Sequence, residues 1–367
     1  MQGSDMNPAT DMSAATAERA KPVGPDASSH RDLTGGATPG APSHRDLIDG
    51  ATLRRLCVAS DAAGLRQTAS HLAALGVSGT LLWQAWGTLW AVPVFMVHGM
   101  LLNFLYAGQH ELSHGTVFRT RWLNEWVGRI FGFVLFYPRT FDQVQHMAHH
   151  RFTQDWARDG ELAREPYALG SYLLWMSGIT YWYTRWRRIV RFSLGLVTEP
   201  YLPAYRHPEL VREARIHLAG YALIAAVSLL THSAAAVLLW LAPMCAMKFT
   251  HQLQNTIEHL GLPHDDNMLA NTRSTRTNGV FRWMAWQMQY HTAHHAFPAV
   301  PFHRLHALDE ILFTDRGISP PTMTYWGFQL AALRAFAGGK TEADYPNDRM
   351  WLFEPPHDSP PPRPTAP

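Results

Sequence analysis

The chain has 367 residues, a formal net charge of +2 and only 16% charged residues, with 14 Trp, 12 Tyr and 17 Phe. So even a charge balance gives no case for a nucleic-acid partner, and so apolar and aromatic a composition points to a membrane protein with aromatic residues at its interfaces. With only two cysteines, Cys57 and Cys245, the second inside an apolar run, neither a disulfide framework nor a thiolate metal site is expected.

Residues 1–50 are rich in Ala, Gly, Pro, Ser and Asp and contain a short duplication, SHRDLTGGAT at 29–38 and SHRDLIDGAT at 43–52. With so little to bury, the segment reads as a disordered tail, expected over 1–60, rather than a repeat architecture. No basic stretch followed by an apolar core occurs in the first 30 residues, so no signal peptide is expected. From Arg66 to Arg119 there is no Lys or Arg, and Glu111 is the only acidic residue in between. The apolar part, roughly 68–109, is about twice the ~20 residues that cross a bilayer once, which predicts a helical hairpin with spans near 68–87 and 90–109. Its break is expected near Gly87–Pro93, and its second helix runs straight into HELSH.

Residues 119–213 carry many arginines interleaved with aromatics, as in YLLWMSGITYWYTRWRR at 172–188, and read as a cytosolic helical segment lying partly on the bilayer. VGRIFGFVLFYP at 127–138 is too short to span and is expected to pack in the core or dip in re-entrantly. A second uncharged run, Ile216–Met247, predicts two more spans near 214–231 and 234–250, turning at Thr231-His232-Ser233. Neither apolar run has Lys or Arg at its turn, whereas the flanking regions are basic, so both termini and all the segments between the hairpins are expected in the cytoplasm. An even number of spans then separates three histidine clusters, and they can meet. The tail 351–367 is Pro-rich and expected to be disordered.

The clusters are His110 and His114 in HELSH; His146, His149 and His150 in HMAHH; and His291, His294 and His295 in HTAHH. On a helix, positions i, i+3 and i+4 share one face. Scattered at random, the 21 histidines would give about 0.07 HxxHH matches in the chain, so two matches point to a polyhistidine metal site. Eight imidazoles exceed what one tetrahedral zinc uses, and all-nitrogen ligation of this count suggests two ions of Zn, Cu, Fe or Ni. Beside apolar spans the natural substrate is a hydrocarbon chain, whose unactivated C–H bonds call for a redox metal with O₂, hence iron. A non-catalytic zinc sensor or transporter is the competing reading; transporters usually bury ionisable ligands within their spans, whereas these clusters flank them.

In order and spacing, HxxxH, HxxHH and HxxHH with the trailing FPAVPF resemble the membrane fatty acid desaturase superfamily over roughly 65–315. HELSHGTVFRTRWLNEWVG and YHTAHHAFPAVPFHRLHAL are similar to bacterial acyl desaturases and to the dihydrorhizobitoxine desaturase type. The resemblance implies an all-α integral membrane protein with about four transmembrane helices in two hairpins. It places a cytosolic helical cap with a di-iron centre within one domain over 61–350, in a bacterial inner membrane. It further implies an O₂-dependent desaturase that introduces a C=C bond into an acyl or lipid chain, with electrons from a separate ferredoxin or cytochrome b5 type donor and its reductase. The chain has no HPGG haem motif and no iron–sulfur cysteine set. The family also adds a ninth histidine after the last span, and an Asn four residues earlier that reaches metal through water; NTIEH supplies these as His259 and Asn255. His251 on the same face is a weaker candidate. NTIEHLGL also resembles a motif of membrane alkane hydroxylases, which leaves hydroxylation of an alkyl or lipid substrate, or desaturation of a small amino-acid-derived metabolite, as alternatives. Glu111, Glu258 and Asp142 are expected to orient ligands by hydrogen bonds rather than bind metal. Trp122, Trp126, Trp283 and Trp286 are candidates for a substrate tunnel, and His71, His98, His217, His232, His264, His303 and His306 are expected to be structural or surface groups.

Overall fold

The computed structural model describes residues 44–162, 164–317, 319–345 and 350–352. Its helices are α1 (Gly50–Leu56), α2 (Asp61–Ala85), α3 (Ala91–His114), α4 (Arg121–Val134), α5 (Arg139–Phe152), α6 (Leu169–Met176) and α7 (Ile179–Ser193). They continue as α8 (His207–Leu230), α9 (Ala242–Ala246), α10 (Lys248–His259), α11 (Gly279–Met284), α12 (His291–Ala296), α13 (Leu305–Leu312) and α14 (Tyr325–Ala337). Among the described residues the strands are a single two-residue parallel pair, β1 (Ser274–Thr275) and β2 (Thr322–Met323). The protein is therefore all-helical.

α2 starts on Ser60, whose hydroxyl accepts the Ala63 amide, and ends at a turn in which Gly87 takes φ 84°, a left-handed conformation natural to glycine. α3 then runs to His114 and stops on Gly115 at φ 71°, so HELSH forms its last turns. Polar side chains stitch the hairpin together. Ser78 Oγ lies 2.8 Å from His98 Nδ1, and His98 Nε2 donates to the Leu239 carbonyl at 2.8 Å. His71 Nε2 donates to the Leu101 carbonyl, and its Nδ1 accepts from Trp286 Nε1 at 3.1 Å. Buried imidazoles in apolar helices are thus satisfied structurally.

α4 is amphipathic: Trp122, Trp126 and Ile130 are exposed at i, i+4, i+8, while Asn124, Gly128 and Phe131 are buried. The 127–138 stretch packs in the core through Phe131, Leu135, Phe136 and Tyr137. α5 has no side-chain cap of its own; the Glu213 carboxylate of α8 accepts the Arg139 and Thr140 amides at 3.0 and 2.8 Å instead. That long-range cap fixes where the second cluster begins.

α3 and the 204–230 segment containing α8 are long and apolar enough to cross a membrane. α2 and the helix expected near 234–250 do not meet that test. The latter is broken: a π-turn at Val237–Leu241 precedes α9, and Met247 separates α9 from α10. Pro243 explains the break, since it lacks an N–H and its ring clashes with the preceding turn. The turn expected at 231–233 is observed, with His232 at φ 50°.

Three apolar clusters root the histidine-bearing helices. One joins α3, α4 and the 135–141 turn around Leu101, Phe104, Phe131 and Trp286. A second holds α12 and α13 through Ala293, Val300 and Leu308. A third packs Ile257 of α10 on Tyr172, Phe328 and Phe336. Residues within both ranges expected to be disordered, 1–60 and 351–367, pack into the core. Leu47, Ile48 and Leu56 are buried in the second cluster, and Trp351 and Leu352 in the third, because each offers enough apolar surface to dock. Residues 1–43, with the first copy of the duplication, and 353–367 lie outside the described residues.

Candidate metal centre

The three predicted clusters and His259 converge. His110 and His114 come from the end of α3, His146, His149 and His150 from α5, His259 from the end of α10, and His291, His294 and His295 from α12. His110, His114, His146, His150 and His294 form one group able to hold a metal ion; His149, His259 and His295 form a second, which His291 joins through His259 and Glu258. The groups abut: the His150 and His295 rings stack with centroids 4.2 Å apart.

The donor atoms fit metal ions. Nε2–Nε2 separations are 2.9 Å for His110–His294, 2.8 Å for His114–His146, 3.0 Å for His146–His150, 3.2 Å for His149–His259 and 2.9 Å for His259–His291. Two nitrogens each about 2.1 Å from one ion and at right angles lie about 3.0 Å apart, so these distances are the edges of a coordination shell. His295 Nε2 is buried with no protein partner, as a ligand atom aimed at an ion would be. Burial pushes His146, His150, His259, His291, His294 and His295 well below the usual imidazole range, and neighbouring rings or arginines push the same way. They are therefore neutral and ligand-ready. At His149 burial acts likewise but is outweighed by Asp159, Glu161 and Glu258, which hold the ring at about 9.

Carboxylates back the rings at Nδ1. Asp159 receives His149 Nδ1 at 2.9 Å and Glu161 receives His146 Nδ1 at 2.8 Å. Glu111 lies 3.3 Å from His294 Nδ1 and Glu258 3.4 Å from His291 Nδ1. The first two are hydrogen bonds, which fix the tautomer so that Nε2 faces the ion; the two longer contacts make no hydrogen bond at His291 Nδ1, His294 Nδ1 or either Glu111 oxygen. Glu111 and Glu258 thus face imidazoles of another helix, and Glu258 is also close enough to serve as a ligand with His259 and His291. Asp142 contacts no imidazole; it accepts the Ser113 hydroxyl at 2.5 Å, so its orienting role is indirect at most, through α3. Asp159 and Glu161 escaped the sequence reading. Their only local signal is an acidic pair, DGE, shortly after HMAHH.

Asn255 is half-buried on α10 and lines a 370 Å³ cavity together with His259 and Glu161. His251 stays outside the centre, stacked on Tyr106 at 4.1 Å and in contact with Lys248. His306 is exposed beside Glu310, His217 contacts Tyr221, and His264 stacks on Trp156. Trp286 is fully buried against Phe131, and Trp122 and Trp126 are exposed, so these three do not wall an internal tunnel. Trp283 is partly buried, its indole N–H donating to Ser70.

Among known protein families, the model described as fatty acid desaturase matches residues 85–326, well over half of the chain and all of the clustered histidines. No curated protein matches the chain.

Proposed function

The chain belongs to the fatty acid desaturase family, an oxidoreductase family, and from that premise we propose that it is an O₂-dependent di-iron desaturase that introduces a C=C bond into an acyl chain. One observation carries the reading: nine buried or nearly buried imidazoles divide into two adjoining groups with coordination-shell spacing. In this reading His110, His114, His146, His150 and His294 hold one ion, His149, His259, His291 and His295 the other, and Asn255 reaches the second through water. Bound iron would supply O₂ activation and the removal of hydrogen from two adjacent carbons, with two electrons from a donor and two from the substrate reducing O₂ to water. The protein's own task is positional. Asp159 and Glu161 hold ring tautomers by hydrogen bonds, Glu111 and Glu258 stand beside the His294 and His291 rings, and the three apolar clusters hold the helices so that the ring spacing is set before any ion arrives.

Cys57 is half-buried and Cys245 exposed, and both are free thiols. The electrons are assigned to a separate ferredoxin or cytochrome b5 type protein and its reductase. For the membrane arrangement, α3 and α8 are the core spans, with α2 and the 234–246 segment completing two hairpins and the histidines and both termini at the cytoplasmic face of a bacterial inner membrane. The apolar, protein-free surface of α8, with Leu223, Val227, Leu229 and Leu230 exposed, supports lipid contact.

Metal content of detergent-purified protein from iron-replete cells, measured by mass spectrometry, tests the reading. About two irons per chain are expected; protein without metal after iron reconstitution would remove its basis. Product analysis then separates desaturation from hydroxylation, an alkene from an alcohol.

A further inference from the structure

The 370 Å³ cavity beside His259 is also lined by Thr180, Tyr181, Thr184, Arg185 and Arg188 of α7. Several hydrogen-bond donors there have no protein acceptor: Arg185 Nε, Thr180 Oγ1, Trp175 Nε1, and Nε and Nη1 of Arg188; the Tyr181 hydroxyl pairs with the Arg185 guanidinium. Tyr181 is 3% exposed. The Arg185 guanidinium lies over the Tyr137 ring at 3.4 Å and faces Tyr181 at 4.6 Å. Stacking covers its faces and leaves its N–H edge for an acceptor.

No carboxylate lies within 4 Å of Arg185 among the described residues, and those that act on it from farther away are engaged. Glu161 holds His146 at 2.8 Å, and Asp142 holds Ser113 at 2.5 Å. Arg188 has only a 3.7 Å contact with Glu199, and Arg164, on the same cavity, is taken by Glu342 at 2.5 and 3.0 Å. Arg185 is half-buried, and leaving its buried Nε and the donors beside it without an acceptor is costly unless a ligand completes them. The rest of the wall includes Leu162, Leu174 and Leu260 together with the carboxylates of Glu161 and Glu165, and the same cavity reaches Asn255 and His259.

Building on the di-iron reading, we propose that this cavity is the substrate site and that the substrate carries a free carboxylate, bound by Arg185 with Tyr181 and Arg188, while its carbon chain extends toward His259. A neutral hydrocarbon offers these donors no acceptor, and an ester offers an acceptor without the charge that pairs with Arg185. The anchor also limits how far from the carboxylate the oxidised carbons lie, because Arg185 and His259 line one cavity.

Calorimetric titration of the iron-loaded, detergent-purified protein tests this with hexanoate, stearate and their methyl esters. At least one acid is expected to bind about tenfold or more tighter than its ester, the size of one charge-assisted hydrogen bond. A preference seen with hexanoate identifies a small organic acid, and one seen with stearate alone a free fatty acid. Arg185→Gln should erase the preference with iron content unchanged, and Arg185→Lys should keep part of it. Equal binding of acids and esters by the wild type, or a full preference in Arg185→Gln, would overturn the proposal. Should Arg185→Gln lose iron, the wild-type comparison alone decides. Protein that holds no iron but still prefers the acids would sink the di-iron reading and leave the carboxylate site standing.

Discussion

The buried carboxylate of Asp159 accepts His149 Nδ1 at 2.9 Å while the same side chain accepts the amides of Glu161 at 2.8 Å and Leu162 at 3.0 Å. One residue therefore shapes the loop after α5 and orients a ring of the second histidine group. Asp159→Asn keeps the size but replaces an acceptor-only carboxylate by an amide that can present N–H to the ring, which lets His149 turn or change tautomer. Iron affinity is expected to fall roughly 10–100-fold, the usual effect of losing such a partner. Competition against a graded series of chelators measures it; wild-type affinity would show that Asp159 serves the loop alone.

The histidines were legible because their spacing is local: i, i+3 and i+4 on a helix present one face whatever the surroundings. Asp159 was not, because it reaches His149 only through the turn after α5, where Gln154 takes φ 68° and its side chain bonds the His259 and Asn271 carbonyls. The hairpin break at Gly87 and the turn at His232 followed from composition, whereas the interruption at Pro243 was hidden inside an uncharged run that reads as continuous. The docking of residues 44–56 was missed for the opposite reason. Leu47, Ile48 and Leu56 stand in a polar, small-residue context, and only the groove offered by Phe297, Val300 and Leu312 reveals what they bury.

The division of nine histidines into two groups predicts separable losses. His294→Ala removes a ring of the first group, whose Nε2 is 2.9 Å from that of His110, and His259→Ala removes the ring shared by His149 and His291 in the second. Each variant is expected to remain in the membrane, to abolish turnover and to lower iron from about two toward one per chain. Full activity in His294→Ala would defeat the ligand assignment, and retention of two tightly bound irons in either variant would defeat the division.

The strap at residues 44–56 bears on the third cluster. Leu47 is buried with Phe297 and Val300, directly after α12, and the Arg316 guanidinium donates to the Leu47 carbonyl at 2.6 Å. Leu47→Ala leaves a cavity against the segment that carries His291, His294 and His295 and should cost about 2–5 kcal/mol. Thermal unfolding in detergent reads the loss, and a transition unchanged within a degree would show that the strap contributes nothing to that cluster.

Two glycines give opposite forecasts from the same substitution. Gly99 on α3 approaches α9 so closely that a Cβ there would meet the Pro243 carbonyl at 2.4 Å and Met247 at 2.6 Å. Backbone cannot step aside as a side-chain tip does, so Gly99→Ala must push α3 away from α9, and overpacking of this kind costs about 1–3 kcal/mol. Gly76, in the middle of α2, has nothing within 4 Å of the position its Cβ would take. There Ala only restricts the unfolded chain and favours helix, a gain of about 0.4–1 kcal/mol. Because α3 carries His110 and His114 at its far end, the Gly99→Ala variant should also lose iron more readily, whereas Gly76→Ala should hold it as the wild type does. Unfolding temperature and chelator competition on the two variants side by side check both signs; equal behaviour would mean that the α3–α9 contact does not set the position of the first histidine pair.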